Sequence, residues 1–339
     1  MTKIKLGGLK LWEGGAQVVL PYGGEEGGLA ADVSGPLAAE KINILLLSHV
    51  SRKRWPEGGT ALCVARALGA PCVSLLKYSR GKAEGLRLRT DISILSVFPH
   101  AQRLDIFGRL LVAMVEDGVE VQGLASSPSA VAAVVSGPTV DRGLDTIFRC
   151  FEFSSYATVA DWRARLQGPD RLEQEIIASY EEKFIKIYGV VEEADLDLWV
   201  LVPPFSALAN LGAAMGRLAD FGLKVPFLVV LPGPQERVLC AFCMATVAAE
   251  EVERVLTRHL PGGTFRRRSP VAALFLHGPH FGDRHGIAHA LIRTLERADA
   301  EILALSCAVS SISVVIHAED LAAATGALEA AFSISRARG

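Results

Sequence analysis

The densest periodic pattern in the chain lies between Leu276 and Phe332. The apolar run Pro270 to His277 predicts a strand, and Gly278-Pro279 marks the turn that ends it. Gly282 and Gly286 then allow a tight entry into a helix. On that helix Ile287, Leu291, Ile292 and Leu295 recur at helical spacing, while Arg293, Glu296 and Arg297 fall on the other side. Ile302 to Leu305 and Ile312 to Ile316, on either side of the small polar run Ser306 to Ser311, predict a hairpin. A second amphipathic helix, Ala318 to Phe332, closes the unit. The order β-α-β-β-α-β makes an antiparallel sheet with two helices over one face.

The same order recurs upstream. In a first copy, strand Gln17 to Leu20 is followed by the loop PYGGEEGG, helix Leu29 to Lys41 and strands Ile42 to Val50 and Thr60 to Val64. Ala65 to Leu76 is too short and too marked by Gly and Pro to predict this copy's second helix. A second copy reads strand Ile92 to Phe98, helix Leu104 to Asp117, strands Val119 to Ala125 and Ala130 to Val135, and helix Thr139 to Phe151. The third reads strand Leu198 to Val202, helix Phe205 to Phe221, strands Val225 to Leu231 and Val238 to Thr246, and helix Ala248 to Leu260. Leu9 to Leu11 and Ile185 to Val191 are short lead-in strands. The expected fold class is α+β: four ferredoxin-like βαββαβ units at 1–90, 91–160, 184–262 and 263–339, with a charged helical connector at 161–183. They are expected as two side-by-side pairs that divide at the connector.

On these residues each unit resembles an ACT domain, the small ligand-binding module of amino-acid metabolism. The whole is similar to the paired ACT domains at the end of aspartate kinases. The stretches that carry the resemblance are FGDRHGIAHALIRTLERADAEILALSCAVSSISVVIHAEDLAAATGALEAAF in the fourth unit and GGEEGGLAADVSGPLAAEKINILLLSHVS in the first. In the third unit PPFSALANLG replaces the Gly-rich loop. The resemblance implies an amino-acid-binding regulatory or sensor protein acting by allosteric change at ACT–ACT interfaces. It does not extend to the kinase half: Leu6 and Leu9 depart from the kinase opening motif around Lys5-Leu6-Gly7-Gly8. About 90 residues before the second unit are too few for a kinase domain plus an ACT unit, so no enzyme activity is expected.

The resemblance places ligand where two units meet, on the loop after the first strand, the start of the first helix and the second strand. In the fourth unit these are Gly282, Asp283, Gly286, Ile287 and Ala288, with Ser306 and Cys307. In the first they are Glu26, Gly27, Gly28, Leu29 and Ala30, with Ser48 and His49. The chemistry suits an amino acid: a helix start offers N–H groups to a carboxylate, glycines allow close approach, and an acidic side chain takes the ammonium. Gln102 to Phe107 and Phe205 to Asn210 stand in place of Gly-rich loops, which weighs against binding by the second and third units.

Other chemistry changes this picture little. His277, His280, His285 and His289 crowd the fourth loop, and His285 and His289 are one helical turn apart. A nickel or zinc sensor through His280, His285 and His289 is therefore an alternative, although no other loop repeats them, and neither metal nor cofactor is expected. Cys240 and Cys243, three apart in a predicted strand, point to opposite faces, poor geometry for one ion. No Walker loop, nucleophile elbow or dinucleotide fingerprint occurs, so no catalytic residue is expected. With 35 basic and 37 acidic residues, and basic runs confined to Ser51–Arg54 and Arg266–Arg268, neither nucleic acid nor a membrane surface is an expected partner. The uncharged stretches Val121–Val140 and Leu198–Gly216 are broken by prolines, and the opening MTKIKLGGLKLW lacks the apolar core of a signal peptide. A cytoplasmic location is expected, with an amino-acid ligand, a biosynthetic enzyme and a second copy, as a homodimer, as partners. The competing hypothesis is a ligand-free interaction protein that docks on a metabolic enzyme through exposed sheet edges.

Overall fold

Four long strands organise the molecule, because the register of each shifts at a polar or glycine-containing bulge and so lets it pair on both sides. The computed structural model describes residues 3–20, 28–80, 85–99, 101–166, 186–233, 235–278, 284–308 and 311–334. The first half runs β1 (Ile4–Leu6), β2 (Gly8–Leu20), the π-helical turn Ala30–Ser34, α1 (Gly35–Ala39), β3 (Leu46–Val50), β4 (Gly59–Ala65) and α2 (Gly69–Arg80). It continues through β5 (Arg87–Phe98), α3 (Leu104–Glu116), β6 (Val121–Ser126), β7 (Val131–Ser136), α4 (Val140–Cys150), β8 (Phe151–Phe153) and α5 (Val159–Leu166). The second half has β9 (Lys186–Ile187), β10 (Gly189–Leu201), α6 (Leu208–Asp220), β11 (Leu228–Pro232), β12 (Val238–Ala245) and α7 (Ala249–His259). It ends with β13 (Phe265–His277), α8 (Ile287–Arg297), β14 (Ala304–Ala308), β15 (Ser311–His317), α9 (Leu321–Ala331) and β16 (Ser333–Ile334).

Twelve strands close into one antiparallel barrel in the order β10-β12-β11-β6-β7-β5-β2-β4-β3-β14-β15-β13. The N-terminal part of β2 pairs Gly8–Trp12 with Phe98–Ile94 of β5, and its C-terminal part pairs Gly15–Val19 with Ile92–Arg87. The register shifts between them, beside Gly14 (φ 76°) and Asp91 (φ 65°). A Cβ on Gly15 would stand 2.5 Å from the Ile92 side chain, so the shift needs glycine there. β10 and β13 cross in the same way around Asp195. The separate lead-in and first strands expected from the sequence are thus single bulged strands.

The exchange ties neighbours in sequence together and leaves β3, β6, β11 and β14 as free edges. Those edges pair β3 with β14 and β6 with β11. The first quarter of the chain therefore joins the fourth and the second joins the third, which corrects the expected division at the connector. Two small parallel pairs, β1 with β8 and β9 with β16, finish the layers.

Alternation along the strands explains the core. One face, including Val19, Val50, Val200, Val229, Phe275 and Val315, fills the barrel. The other packs against helices: α3, α4, α6 and α7 over the β6–β11 seam, and α1, α2, α8 and α9 over the β3–β14 seam. Leu291, Leu295 and Leu305 are fully buried, worth about 1.5–3 kcal/mol each. α2 forms despite its Gly and Pro, correcting the sequence reading: Pro71 lies in the first turn, where backbone N–H groups have no helical acceptor. Cys240 packs toward the helices and Cys243 into the barrel, on opposite faces. Beyond α5, whose Trp162 donates from Nε1 to Leu9 O at 3.2 Å, the expected connector lies outside the described residues. Among the described residues no helix is long and apolar enough to cross a membrane.

Candidate functional site

The β3–β14 seam has Ser48 opposite Ser306, so the two quarters approach each other about an approximate twofold axis. The helix start of each quarter then faces the helix-to-strand turn of the other, giving two candidate clefts. They are unequal. One is an open cleft of about 590 Å³, with Gly28, Leu29, His49, Ser51, Lys53 and Arg54 on one wall and Glu296, Asp299, Ala300, Glu301 and Ile302 on the other. Its counterpart, around Gly286, Ile287, Ala288, His289, Cys307 and Ala38, has only about 10 Å³. There the His289 ring lies 3.1 Å from Ser34 Oγ, and no room remains for a ligand larger than water.

The walls of the open cleft carry opposite charge and meet at one ion pair, Arg54 with Glu301. Lys53 and Arg54 follow β3, while Glu296, Asp299 and Glu301 end α8 and lead into β14. The Ala30 N–H donates to Glu296 Oε1 at 3.0 Å. Gly28 has φ 84°, and a Cβ there would meet Glu296 Oε1 at 2.9 Å. Arg54 donates from Nη2 to Glu301 Oε2 at 2.6 Å, and the His317 Nε2 lies 3.3 Å from the same oxygen. Burial alone would raise the Glu301 carboxyl, but the bonds and charges of Arg54 and His317 outweigh it and hold it below the usual range. His49, buried with Nδ1 2.8 Å from Thr60 Oγ1, is pushed down to about 4 by burial and is neutral at physiological pH.

The structure separates the residues expected to form the site. Gly28 and Leu29 line the open cleft with His49, and Ala30 directs its N–H at the cleft's other wall. Gly286, Ile287, Ala288 and Cys307 line the closed one, with Gly286 at φ 83° preceding α8. Ser48 and Ser306 face the barrel interior instead, where Ser306 donates to Ser126 O at 3.0 Å and joins the two seams. Glu26, Gly27, Gly282, Asp283 and His280 lie outside the described residues. His289 is turned to Ser34 of the first quarter, and burial lowers the pKa of both His277 and His289. Among the described residues no three His, Cys, Asp or Glu side chains are grouped to hold a metal ion. Sequence reasoning missed Lys53, Arg54, Glu296, Asp299 and Glu301. Glu296 read as a solvated helix position, and nothing local to it signals a partner 266 residues away.

No protein-family model and no curated protein matches the chain. Among solved structures it is similar to aspartate kinase from Synechocystis, with TM-score 0.79 and 16% identity over 96% of this chain and 56% of that one. The chain thus spans a little over half the length of that enzyme. It is also similar to the ligand-free regulatory subunit of aspartate kinase from Thermus thermophilus (TM-score 0.39, 24% identity, 43% of this chain, 99% of that one). The regulatory subunit of aspartate kinase from Thermus flavus gives TM-score 0.39 and 22% identity, over 44% of this chain and 99% of that one. The fold is therefore a mixed α+β fold similar to that of the Synechocystis aspartate kinase. This finding overturns the expectation of no enzyme activity. The likeness runs along 96% of the chain to a structure that is an enzyme's, so departures at Lys5–Leu9 and a residue count do not set this chain apart from enzymes.

Proposed function

We propose that the chain is an amino-acid-binding regulatory protein of four ferredoxin-like ACT units, at 1–90, 91–160, 184–262 and 263–339, with the connector at 161–183. Its ligand occupies the open cleft between the first and fourth units. The observation that carries the reading is the opposite charge of the two walls of that cleft, with Lys53, Arg54 and the helix start facing Glu296, Asp299 and Glu301. A zwitterion suits such walls by inserting into the Arg54–Glu301 pair: its carboxylate takes Lys53 and Arg54, and its ammonium takes Asp299 and the released Glu301. Gly28 and Leu29 supply main-chain approach, with Glu26 and Gly27 before them, and His49 supplies a neutral floor. On the counterpart side Gly286, Ile287 and Ala288 pack the seam. Because the cleft is built from two units, a ligand in it favours one seam arrangement over another, which is the requirement for regulation. The fold likeness to an aspartate kinase supports a partner or host enzyme of amino-acid biosynthesis.

Thermal-shift measurement with each of the twenty amino acids at millimolar concentration tests this. A ligand at about 100 times its Kd adds about 2.7 kcal/mol of stability, a rise of several degrees in Tm. No rise with any of them contradicts the reading.

A further inference from the structure

The β6–β11 seam has a cleft of its own, of about 420 Å³. Phe205 and Leu208, at the start of α6, form an apolar wall, and Arg87 and Arg89 reach in from β5, beyond β7. The two arginines are two residues apart on one strand and so share a face. Arg87 donates from Nη2 to Gly233 O at 2.7 Å, and Arg237 donates from Nε to Val202 O at 3.0 Å. Both are held by main-chain carbonyls, which leave their charge in place. Arg89 is half-buried, and among the described residues no hydrogen bond or ion pair holds its guanidinium. Burial and the adjacent Arg87 lower its pKa, with Glu120 opposing them. Glu120 and Glu236 also line the cleft, against the three arginines; Glu120 attracts Arg89 without bonding to it, so the hydration lost by the half-buried guanidinium is only partly replaced.

The other half of the chain supplies an internal comparison. Ile92 pairs with Ser136 as Val271 pairs with His317, so Arg87 and Arg89 correspond to Arg266 and Arg268. Counting from the left-handed turn residues Gly118 and Asp299, Glu120 corresponds to Glu301. In the second half these positions have side-chain partners: Arg266 reaches Glu57 at 3.4 Å, Arg268 lies 3.3 Å from His317, and Glu301 holds both His317 and Arg54. In the first half Ser136 stands in the place of His317, Glu120 is exposed, and no such chain forms among the described residues. The same strand positions thus carry arginines that both meet side-chain partners at one seam, whereas at the other Arg87 meets only a main-chain carbonyl and Arg89 has no bonded partner among the described residues.

We infer that the β6–β11 cleft binds a small organic anion, a phosphate monoester or a carboxylate on an apolar body. Arg89 and Arg87 hold the anionic group, Arg237 adds positive charge at the rim, and Phe205 and Leu208 cover the apolar part. This site is separate from the amino-acid cleft and does not depend on it.

Calorimetric titration of the full chain with phenyl phosphate and with benzoate, and with benzyl alcohol as the uncharged counterpart, tests the inference. At least one anion binds and benzyl alcohol does not; which anion binds more tightly distinguishes the phosphate from the carboxylate class. Arg89→Gln weakens that binding about tenfold or more, as expected for a lost charge-assisted bond, whereas Arg54→Gln in the other cleft leaves it unchanged. If Arg89→Gln does not fold by circular dichroism, Arg237→Gln supplies the same comparison. Binding of neither anion at millimolar concentration, or full binding by the folded arginine variant, overturns the inference.

Discussion

The Glu296 carboxylate accepts the Ala30 backbone N–H at 3.0 Å, between residues 266 positions apart. The first N–H groups of a helix lack partners within it, and a negative charge at that end is favourable. Here the charge comes from the opposite side of the seam, so a helix cap doubles as an inter-quarter contact. Glu296→Ala is expected to cost about 1 kcal/mol in urea denaturation, and Glu296→Gln, which keeps an acceptor, to recover most of it.

Gly28→Val tests the same corner from the other side. The residue has φ 84°, and its Cβ would approach Glu296 Oε1 to 2.9 Å. A β-branched side chain at positive φ adds strain, so a loss of about 2 kcal/mol is expected, read from the shift in urea midpoint. The variant also loses any thermal shift from an amino acid.

Two helix glycines should respond with opposite signs. On α3, a Cβ at Gly108 would lie 2.5 Å from Gly212 O of α6, main chain that cannot move alone. Gly108→Ala is expected to destabilise by about 1–3 kcal/mol. On α9, nothing lies within 4 Å of a Cβ at Gly326, so Gly326→Ala should stabilise by about 0.5–1 kcal/mol. Differential scanning calorimetry of both variants checks the pair.

Much of this fold is legible in periodicity, and the failures share a cause. Leu104 to Glu116 and Leu208 to Asp220 announce themselves because Leu110, Leu111, Leu211 and Leu218 recur at helical spacing and are buried as that spacing requires. β2 and β10 each read as two strands because Glu13-Gly14-Gly15 and Glu193-Ala194-Asp195 look like turns, whereas they are bulges where a strand passes between sheets. Half of the cleft could be read from Gly28 and Leu29, whose position before a helix is local. The other half could not. Asp299 and Glu301 follow α8 as ordinary surface residues would, and only the β3–β14 pairing brings them opposite Arg54.

His49 makes stability depend on pH. Its folded pKa is about 4 against 6.5 for the free side chain. As pH falls below 6.5 the unfolded chain takes up a proton that the folded chain refuses until about 4, so stability is lost across that window. The loss is at most about 3 kcal/mol. Urea midpoints at about pH 7 and about pH 5 should converge in His49→Gln relative to the parent protein.

The amino-acid cleft is the central claim, and calorimetric titration addresses it most directly. The amino acid with the largest thermal shift is titrated into the parent protein, Arg54→Gln and Arg89→Gln. The account predicts saturable binding to the parent, weakening of about tenfold or more in Arg54→Gln, and unchanged affinity in Arg89→Gln. Equal affinity in the parent and Arg54→Gln, or no binding of any amino acid to the parent, contradicts it.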